Sequence, residues 1–200
     1  MKKILQFALL LLATLGLVRG AAAETRLLEM RNVDARVVRV KLDGVMEVRI
    51  RQGNVASLSI TADKRYIADV STAQSGDTLH IETEVRGFKL GPSSIRADLV
   101  LPNLREVSSE GFGSTDITGF KGEELTLSLE GAGSIKLVGD YRKLNASLGG
   151  VGSMQLWIGN NERAELDLQG AGSVVLGGRG RILKATLGGL GSLNAQQFEA

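Results

Sequence analysis

The segments LTLSLEGAGSIKL at residues 125–137 and LNASLGGVGSMQL at residues 144–156 decide the fold of this chain. In each segment apolar residues alternate with polar ones, a Gly-x-Gly-Ser tetrad follows, and the alternation then resumes. A period of two with one apolar side is typical of a β-strand that buries one face. Each segment therefore predicts a strand, a tight glycine corner and a second strand.

The tetrad occurs five times in the second half of the chain, at steps of 20, 19, 20 and 19 residues. One such unit buries too little apolar surface to fold alone, so stacked neighbours must share a core. The repeat predicts an all-β protein, a parallel β-solenoid with one coil of about 20 residues per unit. From residue 130 onward the residue before the tetrad alternates between Glu or Gln and Gly, which leaves open a larger coil of two units. The five tetrads begin at Gly111, Gly131, Gly150, Gly170 and Gly189.

The glycines suit a corner because they allow positive φ angles and close backbone approach. The residue between them is apolar in every copy, and we expect it to plug the corner of the core. These five residues are Phe112, Ala132, Val151, Ala171 and Leu190.

Residues 24–105 lack the tetrad but keep the alternation of apolar and polar residues. We expect them to form further strands that continue the solenoid and cap one end, with a short helical turn within residues 61–72. The prediction is a single β-solenoid domain over residues 24–200, of which 106–200 hold the five repeats.

The N-terminus has the pattern of a secretory signal peptide over residues 1–23. Lys2 and Lys3 precede an apolar run from Ile4 to Val18, and small residues follow at 21–23. The 15-residue run is shorter than the ~20 residues that span a membrane. We expect an exported protein, periplasmic or at the cell surface or outside the cell. Its net charge after cleavage is −1, with 21 basic and 22 acidic residues, which gives no reason to expect a nucleic-acid partner.

The composition excludes several kinds of chemistry. The chain has no cysteine, so disulfides, thiolate metal sites and a cysteine nucleophile are excluded, and its single histidine excludes sites that need two imidazoles. The glycine-rich stretches match no phosphate-binding loop or dinucleotide fingerprint. We therefore expect no enzyme, no catalytic or metal-binding residues and no cofactor.

Stacking in register predicts columns of outward-facing polar residues. Glu110 and Glu130 fall together about 5 Å apart, and we favour two solvated corner acids over a paired acid or cation site. His80 is expected at the surface of a strand. The outward basic residues Arg39, Lys41, Arg49 and Arg51 are expected to protect edges rather than to bind an anionic glycan. The two main columns are Glu106, Thr126, Asn145, Glu165, Lys184 and Ser108, Ser128, Ser147, Asp167, Thr186.

The sequence resembles the family described as putative auto-transporter adhesin, head GIN domain. The resemblance covers nearly the whole chain after residue 23, and it implies a right-handed parallel β-helix in a secreted or envelope protein without established catalytic residues. It rests on GVMEVRIRQG at 44–53, GDTLHI at 76–81, LPNL at 101–104 and the recurring tetrad.

The leading hypothesis is an exported, non-catalytic β-solenoid that serves as an adhesin-head-like binding or structural module of the bacterial envelope. Its partner would be an envelope protein or a glycan. The alternatives are a glycan-cleaving β-helix enzyme and a periplasmic sensor or assembly partner. An open last coil near Leu193 to Phe198 leaves unpaired edge groups, so we also expect copies to associate end to end or side by side.

Overall fold

The computed structural model describes residues 26–84 and 95–199. The predicted signal peptide at 1–23 lies outside them. A 3-10 helix at Ile67–Asp69 is the short helical turn expected within residues 61–72. The strands are β1 (Arg26–Arg31), β2 (Arg39–Asp43), β3 (Val45–Gln52), β4 (Ser57–Asp63), β5 (Val70–Ser75), β6 (Thr78–Thr83), β7 (Ile95–Leu101), β8 (Glu106–Ser109), β9 (Phe112–Leu129), β10 (Ala132–Leu148), β11 (Val151–Asn161), β12 (Arg163–Leu168), β13 (Ala171–Gly180), β14 (Leu183–Leu187) and β15 (Leu190–Glu199).

The coils of the solenoid have two faces, which we name sheet I and sheet II. Strands β9 and β10 are long enough to cross both faces, so their first halves lie in sheet I and their second halves in sheet II. Both sheets turn their inward side chains into one hydrophobic core. Sheet I has the strand order β1-β4-β7-β3-β9-β10-β11-β13-β15, and sheet II has the order β5-β6-β2-β8-β9-β10-β12-β14.

Each coil contains one repeat. The strands that carry the tetrads run parallel, and the second glycine of each tetrad lies beside that of the next coil, from Gly113 through Gly133, Gly152 and Gly172 to Gly191. This register confirms the predicted β-solenoid with coils of about 20 residues. The larger coil of two units, which the sequence left open, is not formed.

Stacking order departs from chain order in the N-terminal part. The coil made by β2 and β3 lies between the later coil of β6 and β7 and the first tetrad coil, because β3 pairs with both β7 and β9. Antiparallel strands then cover the outer side: β4 and β1 add to β7, and β5 adds to β6. The parallel stack therefore begins beneath a layer of antiparallel strands.

The residue between the two tetrad glycines does not plug the core, and that prediction was wrong. Phe112, Val151 and Leu190 are exposed on the outside of the corner. The opposite corner is the one that large side chains fill, because Phe120 and Tyr141 are fully buried there. The Tyr141 hydroxyl donates a hydrogen bond to the carbonyl oxygen of Leu104 at 3.0 Å, which satisfies its polar atom inside the core.

Close approach of neighbouring coils is the main reason for glycine in the tetrad. A Cβ on Gly152 would lie 2.9 Å from the carbonyl carbon of Gly133, and a Cβ on Gly172 would lie 2.9 Å from that of Gly152. Neither glycine has a positive φ. Side chains here would push the coils apart and break the hydrogen bonds that link them.

We predict that Gly172→Ala destabilises the protein by about 1–3 kcal/mol, because the new Cβ collides with backbone that cannot move without separating two coils. Thermal unfolding followed by circular dichroism should show a midpoint lowered on the order of 5 °C.

The matched control is Gly191→Ala. Gly191 holds the same place in the last tetrad, but the nearest atoms to its added Cβ are 3.6 Å away, an ordinary contact. We expect a midpoint close to that of the unchanged protein. Equal losses in both variants would contradict the stacking argument.

Candidate binding surface

The outward face of sheet II carries the most regular set of polar side chains. Pairing of β9 with β10, β10 with β12 and β12 with β14 confirms the two columns that the sequence predicted there. Neighbouring rungs lie ~4.8 Å apart. We name the central part of this surface the polar ladder, and its residues are Thr126, Ser128, Asn145, Ser147, Glu165, Asp167, Lys184 and Thr186.

Hydrogen bonds between rungs hold parts of the polar ladder in place. Ser147 Oγ donates to Ser128 Oγ at 3.2 Å, and Asn145 Nδ2 donates to Glu124 Oε1 at 2.9 Å. Within one coil, the Gln169 amide donates to Asp167 Oδ1 at 2.7 Å. Most ladder residues also line a shallow hollow of about 360 Å³. The surface thus offers hydroxyl, amide, carboxylate and ammonium groups in rows, some already bonded to each other and others facing solvent.

Glu110 and Glu130 lie on neighbouring coils, as expected. Their geometry also favours the interpretation as two separate solvated acids. The Glu130 carboxylate accepts a hydrogen bond from Ser128 Oγ at 3.1 Å and leans over Gly149 on the following coil. It therefore turns toward the coil opposite to that of Glu110. Within the residues that the structure describes, no three His, Asp or Glu side chains are grouped closely enough to hold a metal ion.

The same geometry explains why the residue before the tetrad alternates in size. Glu130 covers Gly149, and two coils later Gln169 covers Gly188 in the same way. Each of these two long polar side chains lies over a position of the following coil that has no Cβ. The alternation is therefore a packing relation between successive one-unit coils.

The four outward basic residues do not form one patch. Arg39 and Lys41 lie on β2 in sheet II, whereas Arg49 and Arg51 lie on β3 in sheet I, on the other side of the Gly44 corner. Arg39 pairs with Asp77 at 2.9 Å and with Glu106 at 3.4 Å.

Arg49 is likewise paired, with Glu47 at 2.9 Å. Burial alone would raise the pKa of Glu47, but hydrogen bonds from Arg96 and Arg49 outweigh it and hold that pKa below its usual value. Charge pairing therefore weakens the case for an anion site, and the interpretation as edge charges is favoured.

His80 lies on β6 with its side chain exposed, as the sequence predicted. Its register partner is Lys41, and Lys41 in turn pairs with Ser108, so His80 extends one of the polar columns toward the N-terminal end. It is thus a surface histidine in a row of polar side chains.

Sheet I carries an exposed apolar group that sequence reasoning did not single out. Val138 and Trp157 face outward from neighbouring strands and line a hollow of about 390 Å³, and the Trp157 ring lies against Gly177. Parity along the strand gives the signal, because Leu156 and Ile158 point into the core and the residue between them must point out. The same alternation places Ala132 on the outside, because it is three residues, an odd number, from both Leu129 and Ile135, which point inward.

The family model described as putative auto-transporter adhesin, head GIN domain, matches residues 38–200. The match confirms the resemblance that the sequence motifs indicated. Among curated proteins, none has a sequence that matches this chain.

Several solved structures have the same fold. A putative adhesin from Bacteroides fragilis has a TM-score of 0.67 and 16% identity, and the match covers 86% of this chain and 97% of that one. A putative adhesin from Parabacteroides distasonis has a TM-score of 0.70 and 16% identity, with 88% of this chain and 75% of that one covered. A putative lipid binding protein from the same organism has a TM-score of 0.53 and 16% identity, covering 86% and 97%. At these identities the likeness concerns the fold.

We predict that calcium leaves the thermal midpoint of the protein unchanged, because the Glu130 carboxylate turns away from Glu110. Differential scanning fluorimetry with calcium and with a chelator measures this. A rise in the midpoint with calcium that Glu130→Gln abolishes would instead establish a cation site at these two acids.

Proposed function

We propose that this chain, a member of the putative auto-transporter adhesin, head GIN domain family, is an exported binding module that uses the polar ladder to hold a glycan of the bacterial envelope or its surroundings. The family and the adhesin descriptions of its structural neighbours support a non-catalytic binding module and a place in the cell envelope or at the surface. In the described residues no helix has the length and apolar character to span a membrane.

The polar ladder is the observation that carries the proposal. Its residues offer donors and acceptors on successive rungs, and in the sheet II parts of these strands only the inward positions are apolar. A hydroxyl-rich polymer can exchange its hydrogen bonds with water for bonds to such a surface along its length. A flat polar contact of this kind binds weakly at each rung, and many copies on one surface would bind strongly through avidity.

Export is the second part of the proposal, and it rests on the signal-peptide pattern of residues 1–23. A charged start, an apolar run of sub-membrane length and small residues at 21–23 are the features that a signal peptidase reads. A protein that acts on envelope glycans must leave the cytoplasm, so the two parts of the proposal agree.

We predict that a Gram-negative host secretes the protein to its periplasm with Glu24 as the first residue. Intact-mass measurement of the periplasmic fraction checks both location and cleavage. Replacing Ala21 and Ala23 by Leu should keep the precursor uncut, because large side chains do not fit the peptidase. An uncut wild-type chain in the cytoplasm would contradict export.

We predict that beads displaying many copies of the protein retain envelope and capsule polysaccharides, and that Asn145→Ala with Asp167→Ala lowers retention at least about tenfold. The two substitutions remove an amide and a carboxylate from adjacent rungs of the polar ladder. The readout is labelled glycan bound per bead across a polysaccharide panel.

The matched control is Lys136→Ala with Gln155→Ala, which removes two exposed polar side chains from adjacent strands on the outward face of sheet I. Retention should stay unchanged in this control. Equal losses in both double variants would place binding elsewhere, and release of reducing ends from any polysaccharide would overturn the non-catalytic assignment.

A further inference from the structure

The last described coil of the solenoid leaves the core open. Within residues 26–84 and 95–199, β14 pairs only with β12, and β15 pairs only with β13. Each of these two strands thus has one edge whose backbone N–H and C=O groups lie free for a further strand. The two open edges lie side by side at the same end of the molecule, one on each sheet.

The inward side chains of this coil are more exposed than their register partners one coil earlier. Leu187 is 53% exposed, whereas Leu168, its register partner one coil earlier, is 1% exposed. Leu193 is only partly buried, although its partner Val174 is fully buried. These leucines occupy core positions, and no strand among the described residues lies above them.

The other end of the core is closed. Leu58 and Ile60 of β4, which pairs with β1, are fully buried, as are Leu79 and Ile81 of β6, which pairs with β5. In β1, the outermost strand of sheet I there, Glu29 and Arg31 are the register partners of the buried Ile60 and Leu58, so charged residues stand at two inward positions of this edge, while Leu28 and Met30 are exposed on its other face. Among the residues that the structure describes, open core is therefore found only at the end formed by β14 and β15.

The open coil carries little charge of its own. Between residues 182 and 199 the only charged side chains are Lys184 and Glu199, which have opposite signs, and the chain there has no proline. Glu199 is already paired with Arg179 at 3.2 Å. Nothing in the composition of these strands repels a second copy of the same coil.

We propose that a second copy of this chain closes the open coil, so that two molecules join end to end through β14 and β15 about a two-fold axis. Each last coil then serves as the next rung for the other, and the two cores become continuous. A two-fold axis makes the facing strands antiparallel, and because the opposite ends are closed, assembly stops at a dimer. This proposal does not depend on the polar ladder.

The size of the end face is sufficient for such a dimer. Strands β14 and β15 contain 5 and 10 residues, which at ~3.4 Å per residue give about 50 Å of edge. With a depth of ~10 Å, each copy contributes about 500 Å² and the pair about 1,000 Å², the lower bound for a specific interface. We therefore expect a dimer that dissociates on dilution.

Sedimentation velocity of the processed protein, without a C-terminal tag, tests the proposal. We expect the sedimenting mass to double as the protein concentration rises from about 5 to about 500 µM, because an interface of this small area is expected to have a dissociation constant within that range. A monomer throughout that range would overturn the proposal. Masses above the dimer would overturn the closed two-fold arrangement.

Leu187→Lys places a charge at the rim of the open core and should raise the dimer dissociation constant at least about tenfold. The matched control is Val151→Lys, an exposed apolar residue on the outward side two coils away, which should leave the constant unchanged. Circular dichroism confirms that both variants remain folded.

Cross-linking gives a readout that does not depend on stability, because the chain has no cysteine of its own. Asn194→Cys on β15 should form a covalent dimer with a short bis-maleimide. Gln155→Cys occupies the same column two coils earlier and should remain monomeric. Cross-linking of the Gln155→Cys variant instead would show that copies meet side by side.

Discussion

Successive coils hydrogen-bond to each other through a corner that only glycine can occupy. At Gly133, Gly152 and Gly172 the backbone of the preceding coil passes where a Cβ would stand, so the corner strands can approach to hydrogen-bond distance. The backbone hydrogen bonds across the corner keep every coil in register with its neighbours. All other regularities of the molecule follow from that register, because identical repeat positions must then fall into columns.

Columns give this protein both its stability and its surface. Inward columns of Leu, Ile and Val stack into one core, while outward columns of Ser, Thr, Asn and acidic residues form the polar ladder. Stacking in register also relates the sizes of side chains on successive coils. Glu130 and Gln169, for example, each lie over a glycine of the following coil. A substitution in one coil therefore changes the packing of the adjacent coil.

The two ends of the stack differ in how far their core residues are buried. Antiparallel strands extend both sheets at the N-terminal end, where Leu58, Ile60, Leu79 and Ile81 are buried. At the other end Leu187 is exposed and Leu193 only partly buried, and no strand among the described residues covers them. Binding along the side of the solenoid and association at its end would use separate surfaces, so a dimer would display two polar ladders at once and increase avidity.

The sequence by itself determined the strands, the 20-residue coil and the outward polar columns, because each follows from spacing within a few residues or from an exact repeat. Counting parity through the corner would also have placed Phe112 and Ala132 outside. Only the tertiary structure decided that β6 and β7 stack outside β2 and β3, that Glu130 leans away from Glu110, and that Arg39 and Arg49 lie on different sheets. These features depend on pairings between distant segments and on side-chain packing across coils, neither of which leaves a periodic signal along the chain.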